Sequence, residues 1–171
     1  MKILVCSDIH GSITNLDLFM ERINSEKPDR VVILGDLYPY GYPSESIIYE
    51  LGDRLNNINN LTVIRGNCDY EDSYFSFKFV DRLVLSLNNK IFYFCHGHIN
   101  NKNNPPDLFD VLVYGHEHIG YIKKNNDKLF INAGSIGNPR YGSPRSYLVI
   151  TDEDILLKGL EGNIIDYISY K

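Results

Sequence analysis

The stretch "KILVCSDIHGS", residues 2–12, decides how the chain is read. Residues 2–6 form a nearly continuous apolar run, which is typical of a strand buried on both faces of a sheet. The run leads directly into Asp8 and His10, a carboxylate and an imidazole that folding alone does not require. The stretch therefore predicts a core strand whose carboxyl end carries functional side chains, and a metal site is the first hypothesis.

The pattern continues through the first third of the chain. Two further buried runs follow, "RVVILGD" at residues 30–36 and "LTVIRGN" at residues 61–67. Two segments with helical spacing of apolar residues alternate with them, at residues 12–26 and 45–55. The order β-α-β-α-β predicts a parallel sheet with crossover helices.

The remainder of the chain is different, because it contains short strand-like runs separated by turn residues such as Asn, Asp and Gly. The runs are "RLVLSL", "KIFYFCH", "VLVYGH", "GYIKK", "LFINAG", "SYLVIT", "DILLKGL" and "IIDYISY". Neither a linker nor an internal repeat is visible in the sequence. We therefore expect a single α/β domain over residues 1–171, with two packed mixed β-sheets flanked by helices.

The composition narrows the class of protein. Of the 171 residues 43% are hydrophobic and 23% charged, the net charge is −5, and no apolar run approaches the roughly 20 residues that cross a bilayer. The acidic balance argues against general nucleic-acid binding, which needs a basic patch. The three cysteines form no CxxC pair, and the N-terminus does not read as a signal peptide. We expect a cytoplasmic protein with reduced thiols and no membrane association.

Chemically active side chains collect where strand-like runs end. Every histidine of the chain follows such a run, and a carboxylate or an amide ends two others: His10, His96, His98, His116, His118, Asp36 and Asn67. In open α/β sheets, ligands bind beyond the carboxyl ends of the strands. Asp36 and Asn67 could merely cap turns, but that leaves unexplained why they share an edge with every histidine. Aspartate, asparagine and histidine suit Mn²⁺, Fe, Zn²⁺ or Co²⁺, and the set is too large for one ion.

Taken in order, five motifs resemble those of the calcineurin-like metallophosphoesterases: "SDIHG", "LGD", "RGNCD", "CHGH" and "YGHEH". The "GNCD" variant and the segment "INAGSIGNPR" at residues 131–140 are similar to the YfcE-type bacterial phosphodiesterase branch. The resemblance covers nearly the whole chain. It implies a four-layer α-β-β-α sandwich, in agreement with the pattern of runs.

The resemblance also implies a centre of two divalent ions, with Mn²⁺ first and Fe, Zn²⁺, Co²⁺ or Ni²⁺ as alternatives. Its ligands would form two sets that share one bridging carboxylate: Asp8, His10 and His118 for one ion, Asn67, His96 and His116 for the other, and Asp36 between them. The implied reaction is hydrolysis of a small phosphodiester by a water that the two ions activate.

Other roles follow by position. Asn67 could contact a phosphate oxygen as well as a metal. Many members of the wider family have a histidine, read as the general acid, where this chain has Cys68. His98 then becomes the candidate proton donor, because a thiol is a poor match to that task. Cys68 and Arg65 are expected to contact substrate.

Several further residues are weaker candidates. Arg140 and Arg145 could hold the far part of an anionic substrate, and Glu117 could orient an imidazole. The tyrosines of "YPYGYP" could stack on an aryl group or simply pack the loop: Tyr38, Tyr40 and Tyr42.

Two alternatives stay open at this point. One is a phosphomonoesterase, which Cys68 disfavours. The other is a protein-binding scaffold like the retromer subunit of the same superfamily, a branch that replaces the residue equivalent to His10. A dimer or tetramer is compatible with the sequence by analogy only.

Overall fold

The computed structural model describes residues 1–170. Two helices and eleven strands follow one another in this order: β1 (Ile3–Cys6), α1 (Ile13–Glu26), β2 (Arg30–Ile33), α2 (Glu45–Leu55), β3 (Leu61–Val63), β4 (Leu83–Leu87), β5 (Lys90–Phe94), β6 (Val111–Tyr114), β7 (Gly120–Asn125), β8 (Lys128–Ala133), β9 (Ser146–Ile150), β10 (Asp154–Gly159) and β11 (Ile164–Ser169). Each predicted helix and strand-like run is present.

The first sheet has six strands in the order β11-β10-β9-β1-β2-β3. Strands β1, β2 and β3 are parallel, with Val5 opposite Val32 and Val32 opposite Thr62, as the β-α-β-α-β pattern predicts. Strand β9 pairs antiparallel with the other edge of β1. The carboxyl ends of β1, β2 and β3 therefore open at the same edge.

The second sheet has five strands in the order β4-β5-β6-β8-β7. Strands β5, β6 and β8 are parallel, and the outer strands β4 and β7 run antiparallel to their neighbours. Both sheets are therefore mixed, which confirms the expected fold class.

One of the two large core clusters lies between the two sheets. It combines residues of the first sheet, such as Val5, Val32 and Leu148, with residues of the second, such as Phe92 and Val113. All five are completely or almost completely buried. Removing this much apolar surface from water provides the main attraction between the sheets.

Both helices pack on the outer face of the six-stranded sheet. Leu16 and Phe19 of α1 and Leu51 and Leu55 of α2 join the inner residues of that face in one buried cluster. Within residues 1–170, neither helix combines the length and apolar character needed to cross a membrane.

The outer face of the five-stranded sheet is covered by coil. Within the described chain no helix lies there; Cys95 and Phe109, at the two ends of the β5–β6 connection, pack on Leu112 and Tyr114. That connection includes the asparagine-rich sequence "NNKNNPP", which is a poor helix former. The sandwich has its two sheets and one helical layer, and coil takes the place of the second.

Candidate metal centre

The structure brings together all seven residues that the sequence singles out as metal ligands. They lie just beyond the carboxyl ends of β1, β2, β3, β5 and β6: Asp8, His10, Asp36, Asn67, His96, His116 and His118. Three of these strands belong to the six-stranded sheet and two to the five-stranded sheet. The site is therefore built where the two packed sheets open side by side.

The first cluster consists of Asp8, His10 and His118. The Nε2 atom of His118 lies 3.1 Å from Asp8 Oδ1, and the two Nε2 atoms of His10 and His118 are 3.2 Å apart. His10 Nε2 lies 3.7 Å from the same Asp8 oxygen. Three ligand atoms that converge so closely leave one point at which a single cation can contact all of them.

The second cluster consists of His96, His116, Asn67 and Asp36. His96 Nε2 lies 3.1 Å from Asn67 Oδ1, 3.3 Å from His116 Nδ1 and 3.5 Å from Asp36 Oδ1. The other oxygen of Asp36, Oδ2, lies 3.6 Å from His10 Nε2 in the first cluster. The two oxygens of Asp36 therefore face different clusters.

The imidazole rings are fixed by backbone carbonyl groups. The Nδ1 atoms of His10, His96 and His118 lie 3.0, 2.7 and 2.5 Å from the carbonyl oxygens of Tyr38, Leu34 and Asn138. Donation of the Nδ1 proton to a carbonyl leaves the lone pair on Nε2 facing the centre, which is the usual arrangement of a metal-binding histidine. His116 differs, because it turns Nδ1 towards His96.

Left-handed backbone aims most of these side chains. Five of the seven have positive φ: Asp8 55°, His10 47°, Asp36 54°, His116 65° and His118 61°. Residues other than glycine rarely adopt this conformation, and such residues cluster at functional sites. The strands thus end in sharp reversals that turn the ligand side chains into the opening.

Asp69 holds two of these loops together, and the sequence reasoning gave it no role. Its carboxylate accepts hydrogen bonds from the backbone N–H groups of Asp36 (2.7 Å), Leu37 (2.8 Å) and Gly66 (2.9 Å). Gly66 leaves no space for a side chain, since a Cβ there would lie 2.2 Å from Asp36 Oδ1. The signal was present in "RGNCD", where the aspartate that ends the motif positions the loop after β2.

The electrostatics of the clusters suit a cation. Burial alone would raise the pKa of Asp8, but the neighbouring imidazoles of His10 and His118 hold that pKa well below its usual range. Asp8 is fully buried, and no group in the described part of the chain, residues 1–170, forms a hydrogen bond with its Oδ1 atom. A buried carboxylate oxygen without a hydrogen-bond donor is costly unless a cation neutralises it. The donor set and this unpaired oxygen therefore fit a divalent metal ion.

His98, the predicted proton donor, and Arg65, a predicted substrate contact, lie beside the second cluster. The ring of His98 is exposed and its centroid lies 5.3 Å from that of His96. Burial and the neighbouring His96 lower the pKa of His98. His98 lines a cavity of about 320 Å³ together with His96 and Arg65.

Cys68 lies against the shared carboxylate. Its backbone N–H donates to Asp36 Oδ1 at 2.8 Å, and its Sγ atom accepts from Asn67 Nδ2 at 3.4 Å. Burial and the charge of Asp36 raise the pKa of the thiol to about 12. The thiol is therefore close to the site but a weak acid.

Tyr40 and Arg140 flank the first cluster. The Tyr40 ring stacks on His10 with a centroid distance of 4.5 Å, and Arg140 donates to the Tyr40 hydroxyl at 2.8 Å. The backbone N–H of Arg140 also donates to the carbonyl oxygen of His118. Tyr40 thus packs on a ligand rather than lying free, and Arg140 connects it to the loop that supports His118.

The remaining candidates are not brought to the centre. Tyr38 is completely buried and Tyr42 almost completely exposed. Arg145 lines a separate cavity. Glu117 pairs with Lys102 and accepts a hydrogen bond from the Tyr121 hydroxyl.

Two mixed sheets meet at clustered carboxylates and imidazoles, an arrangement suited to metal-assisted hydrolysis of phosphoric esters. Comparison with known families agrees: residues 1–154 match the calcineurin-like phosphoesterase superfamily domain. The chain therefore belongs to this superfamily, as its motifs indicate.

Comparison with individual proteins shows which members of the superfamily this chain is similar to. The chain is 31% identical over 174 aligned positions to phosphodiesterase YfcE of Escherichia coli K12, covering 91% of this chain and 90% of the relative. The solved structure of YfcE, a phosphoesterase from E. coli, covers 100% of both chains with a TM-score of 0.91 and 28% identity. Vps29 of Entamoeba histolytica, solved with zinc, matches 100% of both chains less closely, at a TM-score of 0.66 and 20% identity. The last comparison shows the fold alone.

Proposed function

We propose that this chain is a metal-dependent phosphodiesterase that hydrolyses a small phosphodiester at a two-metal centre. One observation carries the proposal: the two oxygens of Asp36 face two separate clusters, each able to hold one cation. A carboxylate shared in this way is the usual bridge between two ions roughly 3.5–4 Å apart. The similarity to phosphodiesterase YfcE supports the choice of a diester.

The residues divide into two sets of ligands. Asp8, His10 and His118 would hold one ion; Asn67, His96 and His116 would hold the other; Asp36 would bridge them. When bound, such ions act as Lewis acids that activate water and neutralise charge on the phosphate group. Nitrogen and oxygen ligands without thiolate suit Mn²⁺, Fe, Zn²⁺, Co²⁺ or Ni²⁺, and Mn²⁺ is placed first because of the resemblance to the superfamily.

The chain's own residues would handle the substrate. The Asn67 amide presents Oδ1 to His96 in the second cluster, and its Nδ2 group donates one N–H to Cys68 Sγ, which leaves the second N–H for a phosphate oxygen. His98 is exposed beside this cluster and could donate the proton to the leaving alcohol. Cys68 lies against Asp36, Arg65 lines the cavity beside His98, and both would contact the substrate.

The expected setting is a cytoplasmic enzyme that acts on a small molecule. Support comes from the negative net charge, which disfavours a general nucleic-acid surface. One domain would contain the whole site, and homo-oligomers are compatible with it.

The first experiment compares a diester with a monoester. The protein is stripped with a chelator and supplied with Mn²⁺, and hydrolysis of bis-p-nitrophenyl phosphate is compared with that of p-nitrophenyl phosphate. We expect metal-dependent cleavage of the diester, a loss of at least about 100-fold in Asp36→Ala, and no loss in Asp127→Ala, which changes an exposed aspartate in the turn after β7.

Each other outcome points elsewhere. Preferential cleavage of the monoester would make the protein a phosphomonoesterase. No cleavage of either ester with any of the five metals, and no Mn²⁺ binding by calorimetry, would favour a protein-binding scaffold. The presence of His10 and the other six ligand residues argues against that last reading.

The role of His98 has its own test. If His98 donates the proton, His98→Gln should slow cleavage of methyl p-nitrophenyl phosphate little, because nitrophenolate leaves without a proton. The same change should slow cleavage of an alkyl diester about 100-fold. An equal effect on both substrates would mean that His98 does not act as the acid.

A further inference from the structure

A cavity opens directly beside the second metal cluster. It measures about 320 Å³ and extends from His96 and His98 to the segment before β4, where Asp81 and Arg82 form part of its wall. Tyr93 of β5 also lines it. A substrate whose scissile phosphate sits at the cluster could therefore place its remaining part in this cavity.

The two arginines that line the cavity, Arg65 and Arg82, differ in their interactions with the rest of the protein. Arg65 forms an ion pair with Glu71, and its guanidinium carbon lies 5.2 Å from the centroid of the Phe79 ring. Arg82 makes no ion pair and no side-chain hydrogen bond to any of residues 1–170. The charge of Arg65 is therefore partly neutralised by Glu71, whereas the guanidinium of Arg82 is fully available to a ligand.

An arginine in this cavity without a partner among residues 1–170 can bind an anionic group of a ligand. The planar guanidinium forms paired hydrogen bonds with phosphate or carboxylate groups. The chain as a whole is negatively charged, so its general field does not attract anions. A second anionic group on the substrate would need a local cation, and Arg82 provides one within the cavity of the site.

We infer that the cavity beside His98 binds a second anionic group of the substrate, a phosphate monoester located away from the scissile diester, through Arg82. The inference rests on the proposed phosphodiesterase function and specifies its substrate class. Asp81 carries the opposite charge in the same wall and is exposed. Its carboxylate would repel the same group, so the two neighbours should affect affinity in opposite directions.

The test uses two substrates with the same scissile bond: thymidine 5′-(p-nitrophenyl phosphate) and its 3′-phosphorylated form, both with Mn²⁺. We expect the added phosphate to lower KM about tenfold in the unchanged protein. Arg82→Gln should abolish this advantage and leave the KM of the unphosphorylated substrate within about twofold. Arg82→Lys should keep part of the advantage, because it retains the charge without the fork.

Two further variants complete the design. Asp81→Asn should lower the KM of the phosphorylated substrate about two- to threefold. Arg145→Gln, which changes an arginine that lines a separate cavity with Glu161, should alter neither substrate. Equal KM values for both substrates in the unchanged protein, or an Arg82→Gln effect of the same size on both, would overturn the inference.

Binding measurements separate this inference from the proposed function. Calorimetry with Mn²⁺ compares thymidine 3′,5′-bisphosphate with thymidine 5′-monophosphate, and it needs no turnover. If neither ester is cleaved but the bisphosphate binds about tenfold tighter through Arg82, the proposed function fails and the anion site stands. If diesters are cleaved and the two nucleotides bind equally, the function stands and the anion site fails.

Discussion

At the scale of single residues, the centre is assembled from backbone that most side chains avoid. Asp8, His10, Asp36, His116 and His118 all have positive φ, and the left-handed conformation costs about 1–2 kcal/mol for an ordinary residue. Part of the folding free energy is therefore used to aim ligands at a common point. Such sites trade stability for function.

This trade can be measured at His116, whose φ is 65° and which is only partly buried. Glycine accepts this conformation without strain. We expect His116→Gly to keep the free energy of unfolding of the metal-free protein, or to raise it by up to about 1 kcal/mol, while the rise in Tm on adding Mn²⁺ is reduced. Urea unfolding in a chelator, and thermal unfolding with Mn²⁺, measure the two effects.

His98→Gly is the matched control, since His98 is not among the residues with positive φ. There the substitution only adds freedom to the unfolded chain, and a cost of about 0.5–1 kcal/mol is expected. If His116→Gly costs as much as His98→Gly, the backbone at His116 stores no strain.

At the scale of elements, helix α1 ends in a way that can be improved. Its C-cap residue Lys27 adopts the left-handed conformation, with φ 50° and ψ 60°, and donates its N–H to the Ile23 carbonyl oxygen. Glycine is the usual residue at such a helix end. The free energy of unfolding of Lys27→Gly should therefore be about 1 kcal/mol higher than that of Lys27→Ala, which removes the same charge. Equal urea midpoints for the two variants would contradict the expectation.

The elements themselves were largely predictable from the sequence, and physical reasons explain where prediction stopped. Runs such as "VLVY" are apolar throughout and bounded by turn residues, so β6 was readable. The coil layer over the five-stranded sheet was not anticipated, because covering that face depends on Phe109 and Cys95 docking across a long connection. The role of Asp69 was also not predicted, because its carboxylate accepts hydrogen bonds from backbone N–H groups of a loop about 30 residues away in the sequence.

At the scale of the whole molecule, one ion cluster connects distant parts of the first sheet and its helix. Glu26 at the end of α1 pairs with Lys158 of β10, and the Lys2 ammonium lies 3.5 Å from its other oxygen. Burial opposes the charge on Glu26, but the hydrogen bond from Lys158 lowers the pKa of the Glu26 carboxyl below its usual 4.5. Burial also opposes the charge on Lys158, but the hydrogen bond to Glu26 raises the pKa of the Lys158 ammonium above its usual 10.5.

These shifts set the pH dependence of stability. A lowered carboxyl pKa stabilises the fold above the unfolded value of 4.5, and this contribution is lost as the pH falls through the folded pKa. The raised Lys158 pKa stabilises the fold below 10.5, and its contribution is lost as the pH rises through the folded pKa. Glu26→Gln should cost about 1 kcal/mol at pH 7 and show a shallower decline in Tm between pH 5 and 3.

Thermal unfolding of the two proteins across this range is the measurement. Glu21→Gln is the control, because Glu21 is an exposed glutamate of the same helix whose one ion pair within residues 1–170 is with the adjacent Arg22. Parallel pH profiles for the unchanged protein and Glu26→Gln would show that the cluster contributes nothing.

The candidate site as a whole was predictable because its ligands, four of the chain's five histidines, two aspartates and one asparagine, follow strands, and strand ends of a sheet share an edge. The assignment of strands to the two sheets was less predictable. Nothing in the run "SYLVI" indicates that β9 pairs with β1 rather than with β8. Arg82 carried no signal either, since its proposed role depends on the cavity beside it and on the lack of an ionic partner among residues 1–170. Pairing and shape are set by tertiary packing, which the local sequence does not report.

The placement of the ligands on both sheets has a mechanical consequence. Each cluster takes members from the six-stranded and the five-stranded sheet, which are otherwise held together by apolar contacts that have no direction. An ion at either cluster would be a directional cross-link between them. Metal loading should then limit how the sheets slide over each other, and hydrogen exchange should slow in β1 and β6 together rather than only in the loops of the site. The active centre would then also set the stiffness of the whole sandwich.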